Sequence, residues 1–382
     1  MKKFILLATV TILFAAKISA QYSYHNFNFG GLTRTYLLYI PQGYDSTQPT
    51  PFVLVLHGLG DTISNFKGIN MNQVADTSTA HFIFAMPQAV TDPLFGAAWN
   101  SGAGEFGFYP NSSVDDVGFL NALIDTVSSK YNIDQTRLFS TGFSMGGFMT
   151  NRLGCELNNR IAAIASVSGT IGSGITCNPT RAIPAAHFHG TLDTTVGYYN
   201  DQFGLNAEAL VAYWMHHDHT DTVAASIDTF PNIRNDGKVV VHYKYLNGAY
   251  GTEVEFFQVI GGYHEWLTAA NDINYSVEIW RFFRRFSWSP QVNGIEAVAP
   301  GLDINVYPNP AANQFNIQLP QTFHTMADIS VFDMTGRIVY TNHVPSQGQL
   351  VTVKSSFFAE GLYTIQVNIG EQRLTSKILI NK

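Results

Sequence analysis

Residues 137–149, Arg137-Leu138-Phe139-Ser140-Thr141-Gly142-Phe143-Ser144-Met145-Gly146-Gly147-Phe148-Met149, decide how this chain is read. Residues 137–141 have the composition of a strand and residues 147–157 that of a helix, with Gly-x-Ser-x-Gly between them. A serine at so tight a strand-to-helix turn projects its hydroxyl from the edge of a sheet. Gly142 and Gly146 remove side chains that would strike the neighbouring strand and helix. The helix that follows aims its first amides at the same place and favours a developing negative charge. A chain with 32 glycines produces the bare motif by chance, so Ser144 needs partners elsewhere.

Those partners occur in the expected order. An acyl-transfer serine needs a histidine base and a carboxylate to orient it. Residues 185–190 read as a buried strand that empties into Thr191-Leu192-Asp193, which makes Asp193 the candidate acid. Residues 254–260 read as the next strand, rich in aromatic and β-branched side chains. It empties into Gly261-Gly262-Tyr263-His264-Glu265-Trp266, which makes His264 the candidate base. Residues 51–56 form a continuous apolar run, as a central parallel strand does. His57-Gly58-Leu59-Gly60 follows, and the Leu59 and Met145 backbone N–H groups are the candidate oxyanion donors.

Together these segments resemble a known group. His57-Gly58, Trp99-Asn100, residues 114–120, Gly142 to Gly147, His189-Gly190-Thr191-x-Asp193 and Gly261-Gly262-x-His264-x-Trp266 are similar, in order, to the secreted polyhydroxybutyrate depolymerase/LpqC-like esterases. The same set resembles the family 1 feruloyl and acetylxylan esterases. The resemblance covers roughly residues 25 to 286 and does not separate substrates within the group. After the acid the turn runs Thr194-Thr195-Val196-Gly197-Tyr198 and departs from the proline that family members often carry, while Asp193 is retained. The implied fold is α/β: an α/β-hydrolase with a mostly parallel sheet and helices on both faces, followed by a small all-β sandwich. The implied activity is that of a serine carboxylesterase with no cofactor and no metal, acting on feruloyl or acetyl esters of plant polysaccharide. A polyhydroxyalkanoate depolymerase is the alternative. A serine peptidase and a non-catalytic binding protein on the same scaffold rank lower, because no propeller or lid domain accompanies the motifs and all three reactive residues are intact.

The chain of 382 residues is long for one domain. Hydrophobic residues make up 46% and charged residues 13%, enough apolar material for a large core with aromatics left for a cleft. A net charge of −7 and no basic stripe do not point to nucleic acid. Lys2-Lys3, an apolar run over residues 4–16 and Ile18-Ser19-Ala20 read as a signal peptide over residues 1–20, too short for a comfortable membrane span. No transmembrane segment is expected in the mature chain. The catalytic domain is expected over 21–288, a linker over 289–303 and a β-sandwich over 304–382. Thr335-Gly336 and Ile369-Gly370-Glu371 are hairpin-turn candidates. Tyr307-Pro308-Asn309-Pro310, Gly361-Leu362-Tyr363 and the ending Lys377 to Lys382 resemble the C-terminal sorting domain of type IX secretion substrates. That resemblance implies the type IX machinery as a partner and a secreted or cell-surface enzyme. A carbohydrate-binding module is the alternative, and no aromatic row supports it.

The remaining candidates divide between site and scaffold. Trp99, on the Gly-rich loop 96–107, and Trp266, two residues from His264, are expected in the cleft. Asp115 and Asp116 open the helical stripe of residues 115–131, where acids complement the helix dipole. His57 is expected to be oxyanion-loop scaffold, His187 and His189 core histidines, and His216, His217 and His219 a solvated helix end, since adjacent helical residues point apart. Cys155 and Cys177 are either bridged or two buried thiols, and the sequence leaves both open.

Overall fold

The computed structural model describes residues 21–288 except 80, 105 and 201, and residues 304–382 except 320–325, 335–336, 347 and 370–371. The expected leader, the linker and the Thr335-Gly336 turn lie outside the described residues. The chain divides into two compact units, Met1–Pro290 and Gln291–Lys382.

The first unit contains β1 (Gln21–Phe29), β2 (Leu32–Ile40), β3 (Thr50–Leu56), β4 (Ile83–Pro87), β5 (Val90–Asp92), β6 (Gly96–Ala98), β7 (Ile133–Phe143), β8 (Ala163–Val167), β9 (Ala185–Gly190), β10 (Ser226–Thr229), β11 (Val239–Tyr245) and β12 (Val254–Ile260). Its helices are α1 (Ile63–Phe66), α2 (Met71–Thr77), α3 (Asp116–Ser128), α4 (Met145–Glu156), α5 (Ala207–Asp218) and α6 (Tyr275–Phe283). Ten strands form one sheet in the order β1-β2-β4-β3-β7-β8-β9-β12-β11-β10, and β5 pairs with β6 in a separate hairpin. The run from β4 to β12 is parallel, with antiparallel strands added at both sides.

Side-chain alternation along the strands builds a core on each face. In β3, Phe52, Leu54 and Leu56 join a cluster with Phe119 of α3, Met149 of α4 and Trp214 of α5. Val53 and Val55 of the same strand join the opposite cluster, with Phe66 of α1, Val74 of α2 and Trp280 of α6. A strand buried on both faces has no polar alternation to show, which is why residues 51–56 read as an unbroken apolar run. Among the described residues no helix is long and apolar enough to cross a membrane.

The edges were harder to read. β1 and β2 stand ahead of the apolar run of residues 51–56, and β10 and β11 extend the far side of the sheet. β1 and β10 are mostly exposed or half-buried edge strands, so burial leaves little hydrophobic pattern in them. α6 starts at Tyr275, because the Asn274 side chain caps it by accepting the Ser276 N–H.

The second unit has β13 (Asn305–Tyr307), β14 (Gln314–Gln318), β15 (Met326–Phe332), β16 (Ile338–Pro345), β17 (Leu350–Lys354), β18 (Gly361–Ile369) and β19 (Gln372–Ile380). They make two antiparallel sheets, β13-β14-β17 and β16-β15-β18-β19. Phe315 and Ile317 of one sheet and Ile329, Val331, Ile365 and Val367 of the other share a single core, the arrangement of a sandwich. β18 and β19 pair antiparallel with Ile369 opposite Gln372, and the expected turn residues Gly370 and Glu371 lie outside the described residues.

Candidate active site

Ser144 sits between β7 and α4 with φ +55° and ψ −121°, a left-handed φ rare for a residue with a side chain. The turn is tight because main chain presses on main chain. A β-carbon at Gly142 would lie 2.3 Å from the Gly146 carbonyl oxygen, and one at Gly146 would lie 2.1 Å from that of Leu56. Gly169 leaves the same kind of space, its β-carbon position being 2.3 Å from the Ser144 carbonyl oxygen. The Ser144 N–H donates to Val167 O at 2.8 Å and ties the turn to the end of β8.

The loop after β3 lies against this turn. A β-carbon on Gly58 would be 3.4 Å from Cβ of Ser144. Leu59 and Met145 both line the pocket that Ser144 lines. Met145 opens α4, where no carbonyl one turn back is available to its N–H. The Leu59 N–H has no hydrogen-bond acceptor among the described residues. His57 is buried and engaged at both nitrogens: Nδ1 donates to Gly58 O at 2.7 Å and Nε2 accepts the Ala89 N–H at 3.1 Å. Burial pushes its imidazole below the ordinary value, against the pull of the Gly58 carbonyl, so His57 is a neutral strut of this loop.

Asp193 and His264 come from the ends of β9 and β12 and meet. His264 Nδ1 donates to Asp193 Oδ2 at 2.7 Å. Oδ1 accepts the N–H groups of Thr195 and Val196, each at 2.9 Å. Burial alone would push the Asp193 carboxyl up. Hydrogen bonds from His189 and His264 more than offset it and hold the group well below the usual carboxylate range. The two loops are joined through main chain: Leu192 N donates to Gly262 O at 2.8 Å and Thr191 N to Val259 O at 2.9 Å. Gly190 permits this approach, since a β-carbon there would lie 2.3 Å from Gly262 O.

The His264 ring packs on Phe143 with centroids 4.7 Å apart. Ser144 and His264 line one pocket, and among the described residues no hydrogen bond joins them; such contacts often close only with substrate bound. The pocket has a volume of about 620 Å3. Its aromatic lining is Phe95, Phe106, Phe108, Phe143, Phe148 and Phe203.

The two tryptophans expected in the cleft are elsewhere. Trp99 is 0% exposed, donates its indole N–H to His57 O at 2.9 Å and stays under the oxyanion loop. Trp266 packs edge-on against Phe66, Phe143 and Tyr275, outside the pocket lining. Their size wins them a core position, as for most large aromatics. The phenylalanines that line the pocket instead were missed, although Phe106 lies on the Gly-rich loop 96–107 and Phe95 and Phe108 flank it.

Other candidates fall into scaffold. Asp115 caps α3 by accepting the Gly118 N–H at 2.8 Å. Asp116 does more than complement the dipole. It is buried, pairs with Arg34 at 2.6 Å and accepts the Asn100 N–H at 2.7 Å, and burial pushes its carboxyl up against the Arg34 charge. His217 is half-buried rather than solvated, held by Asp218 at 2.8 Å and Pro179 O at 3.2 Å. Cys155 and Cys177 form a disulfide. Among the described residues no group of three or more His, Cys, Asp or Glu is arranged to hold a metal ion.

Known proteins bear on both units. Residues 44–224 match the phospholipase/carboxylesterase family, and residues 305–381 match the secretion system C-terminal sorting domain. A feruloyl esterase B of Piromyces equi is 30% identical over 169 residues, 43% of this chain and 30% of that protein. A feruloyl esterase D of Neurospora crassa is 30% identical over 179 residues, 44% of this chain and 55% of its own. The chain thus spans under a third of the first relative's length and about half of the second's. A solved thermostable esterase is 19% identical with a TM-score of 0.48, over 70% of this chain and 63% of that one. Residues 44–224 are thus similar to the phospholipase/carboxylesterase family, and residues 305–381 to a secretion-system sorting domain of the type IX kind, which marks a chain for export to the cell surface or beyond.

Proposed function

We propose that the first unit is a serine carboxylesterase acting on ester groups of plant polysaccharide, with aromatic acyl groups such as feruloyl preferred. Ser144 Oγ attacks the ester carbonyl carbon. His264 Nε2 takes the hydroxyl proton, while Nδ1–H stays donated to Asp193. The carbonyl oxygen, now an oxyanion, accepts the Leu59 and Met145 N–H groups, each such donor being typically worth ~3 kcal/mol of barrier. The imidazolium returns its proton to the leaving alcohol. Water then enters and attacks the acyl carbon as it gives a proton to His264; the bond to Ser144 Oγ breaks, His264 returns the proton to that oxygen, and the acid is released.

The observation that carries this reading is the 2.7 Å Asp193–His264 hydrogen bond, delivered to the rim of a pocket that a strained Ser144 also lines. The aryl preference rests on six phenylalanines in a space of about 620 Å3, ample for a cinnamoyl-sized group. The feruloyl esterases among the relatives support the same choice. A polyester depolymerase remains the second reading, favoured by Phe106 and Phe108, which are 88% and 68% exposed at the mouth. The unit boundary at Pro290 supports a catalytic domain over 21–288, a linker over 289–303 and a sorting domain over 304–382.

Ser144→Ala is expected to abolish hydrolysis of p-nitrophenyl acetate and methyl ferulate, a loss on the order of a millionfold, with the thermal melt nearly unchanged. Turnover surviving in that variant would end the proposal. Methyl ferulate, acetylated xylan and a polyhydroxybutyrate film assayed side by side rank the substrates.

A further inference from the structure

Behind the acid lies a buried chain of hydrogen bonds that the reaction described above does not use. Ser166 Oγ is 2.9 Å from His187 Nδ1, His187 Nε2 is 3.0 Å from His189 Nδ1, and His189 Nε2 is 2.8 Å from Val196 O. The same Nε2 is 3.3 Å from Asp193 Oδ2, the oxygen that His264 holds. All these side chains except His264 are buried, with His189 at 0% exposure.

The acceptors dictate where the protons sit. Val196 O and an ionised Oδ2 only accept, so His189 Nε2 carries a proton. Its Nδ1 then accepts, so His187 donates from Nε2 and accepts the Ser166 hydroxyl at Nδ1. Burial drives the His187 imidazole well below its ordinary value, so it is neutral. Each ring nitrogen in the chain then has one role, and the N–H at His189 Nε2 faces two acceptors, Val196 O at 2.8 Å and Asp193 Oδ2 at 3.3 Å.

We propose that His189 is a positioning residue for the acid–base pair, acting on the same Asp193 oxygen that His264 holds. This rests on the esterase reading. The His189 N–H, bonded to Val196 O and 3.3 Å from the oxygen that His264 holds, acts with the Thr195 and Val196 amides on Oδ1 to fix the plane of the Asp193 carboxyl, and with it the direction in which His264 points. The His189 N–H also withdraws charge from Oδ2. The carboxylate therefore orients the imidazolium without taking its proton as the reaction proceeds. Through Val196 O the same N–H pins the turn 193–196, whose amides hold Oδ1. The ionisable groups facing His189 are His187 on its own strand, Asp193 on the next loop and Tyr198, whose ring meets it edge-on at 5.6 Å and whose phenol burial pushes up. His264 reaches the same carboxylate from the loop after β12. Gln258, opposite His189 on β12, is neutral.

A pair of near-isosteric variants separates positioning from space-filling. The amide of His189→Gln reaches about as far as Nε2, whereas that of His189→Asn reaches only the Nδ1 position. With p-nitrophenyl acetate, His189→Asn is expected to lose about ten- to a hundredfold in kcat with KM within about twofold. Its acid limb in the pH–kcat/KM profile moves to higher pH, because an uncompensated Oδ2 holds the imidazolium more strongly. His189→Gln recovers most of the loss. Equal activity in the two variants, whether both impaired or both intact, overturns the proposal. Ser144→Ala measured alongside keeps the tests apart: activity surviving there sinks the esterase reading itself, whereas a dead Ser144→Ala with matched His189 variants sinks only the positioning role. A tautomer measurement needs no variant. Nitrogen-15 spectra of the wild-type protein should show His189 protonated at Nε2 and bare at Nδ1, and the reverse tautomer overturns the assignment even if a variant fails to fold.

Discussion

Around Ser144 the groups that fix the side chain are main chain, whereas around His264 they are side chains. The serine turn is shaped by the carbonyls of Leu56, His57 and Gly146, which leave no room for a β-carbon at Gly142 or Gly146. The base is held by Asp193, and Asp193 by His189 and two amides of its own turn. Backbone constraint is stiff and leaves its mark in the sequence as glycine. Side-chain constraint is tunable and leaves residues that look like ordinary core. The two halves should therefore fail differently: damage to the first unfolds the protein, and damage to the second slows a folded one.

Gly146→Ala puts the greatest strain on the first half. Its β-carbon would sit 2.1 Å from Leu56 O and 2.6 Å from His57 O, both main chain at the end of the central strand β3. Nothing there is a flexible side chain that can step aside. The expected cost is roughly 4 kcal/mol or more, read in a denaturant titration, with little folded protein at physiological temperature. A melt like that of the wild type would show that the elbow is softer than its contacts imply.

Gly190→Ala attacks the junction between the halves. The added carbon meets Gly262 O at 2.3 Å and Tyr263 O at 2.7 Å. It wedges the base loop away from β9 while leaving both cores untouched. Activity is expected to fall by about a hundredfold, as a displacement near 1 Å does, with a smaller loss of stability. A fall in stability without a fall in kcat for the surviving folded protein would place the strain elsewhere.

Acid sharpens the comparison through Asp193 alone. Its carboxyl lies below the ordinary value in the folded chain, so the unfolded chain binds that proton more readily. The stability it contributes is complete above the ordinary carboxyl pKa of about 3.9 and is lost as pH falls below it. Asp193→Asn has no such proton to bind. The melting temperature of the wild type should therefore drop more steeply than that of Asp193→Asn between about pH 5 and pH 3. Asp116 and Asp218, which burial pushes up, are common to both chains and cancel in the difference. Parallel curves would mean that the Asp193 carboxylate is no better held in the folded chain than in the unfolded one.

The same division explains what the sequence disclosed. The elbow, the two loops that carry Asp193 and His264, and the strands that end in them were legible because each is a backbone necessity: glycines where main chains touch, apolar runs where a strand is buried on both faces. β1 and β10 were not, because edge strands bury too little to show a pattern. His189 was read as a core histidine, and by burial it is one. Its 3.3 Å approach to Asp193 Oδ2 separates it from His57, which is as deeply buried and ties its own loop to the chain at Ala89 without reaching the acid or the base. Trp99 and Trp266 misled for the opposite reason. Proximity in sequence to the site was taken for proximity in space, while their bulk went into the packing beneath it.

The smallest expected effect belongs to the pocket mouth, where neither kind of constraint operates. Phe106 is 88% exposed and lines the pocket with one edge, so Phe106→Ala should change stability by no more than about 0.5 kcal/mol. Its ring has little to stabilise in the free protein. A bound aryl acyl group gains an aromatic contact there, typically worth about 1 kcal/mol, whereas an acetyl group is too small to gain much. KM for methyl ferulate should accordingly rise about fivefold, while KM for p-nitrophenyl acetate stays within twofold and kcat is unchanged for both. Equal changes for the two esters would mean that the phenylalanine collar does not read the acyl group. A loss confined to the polyhydroxybutyrate film would instead make that collar a surface for gripping a polymer, and would move the balance toward the polyester reading.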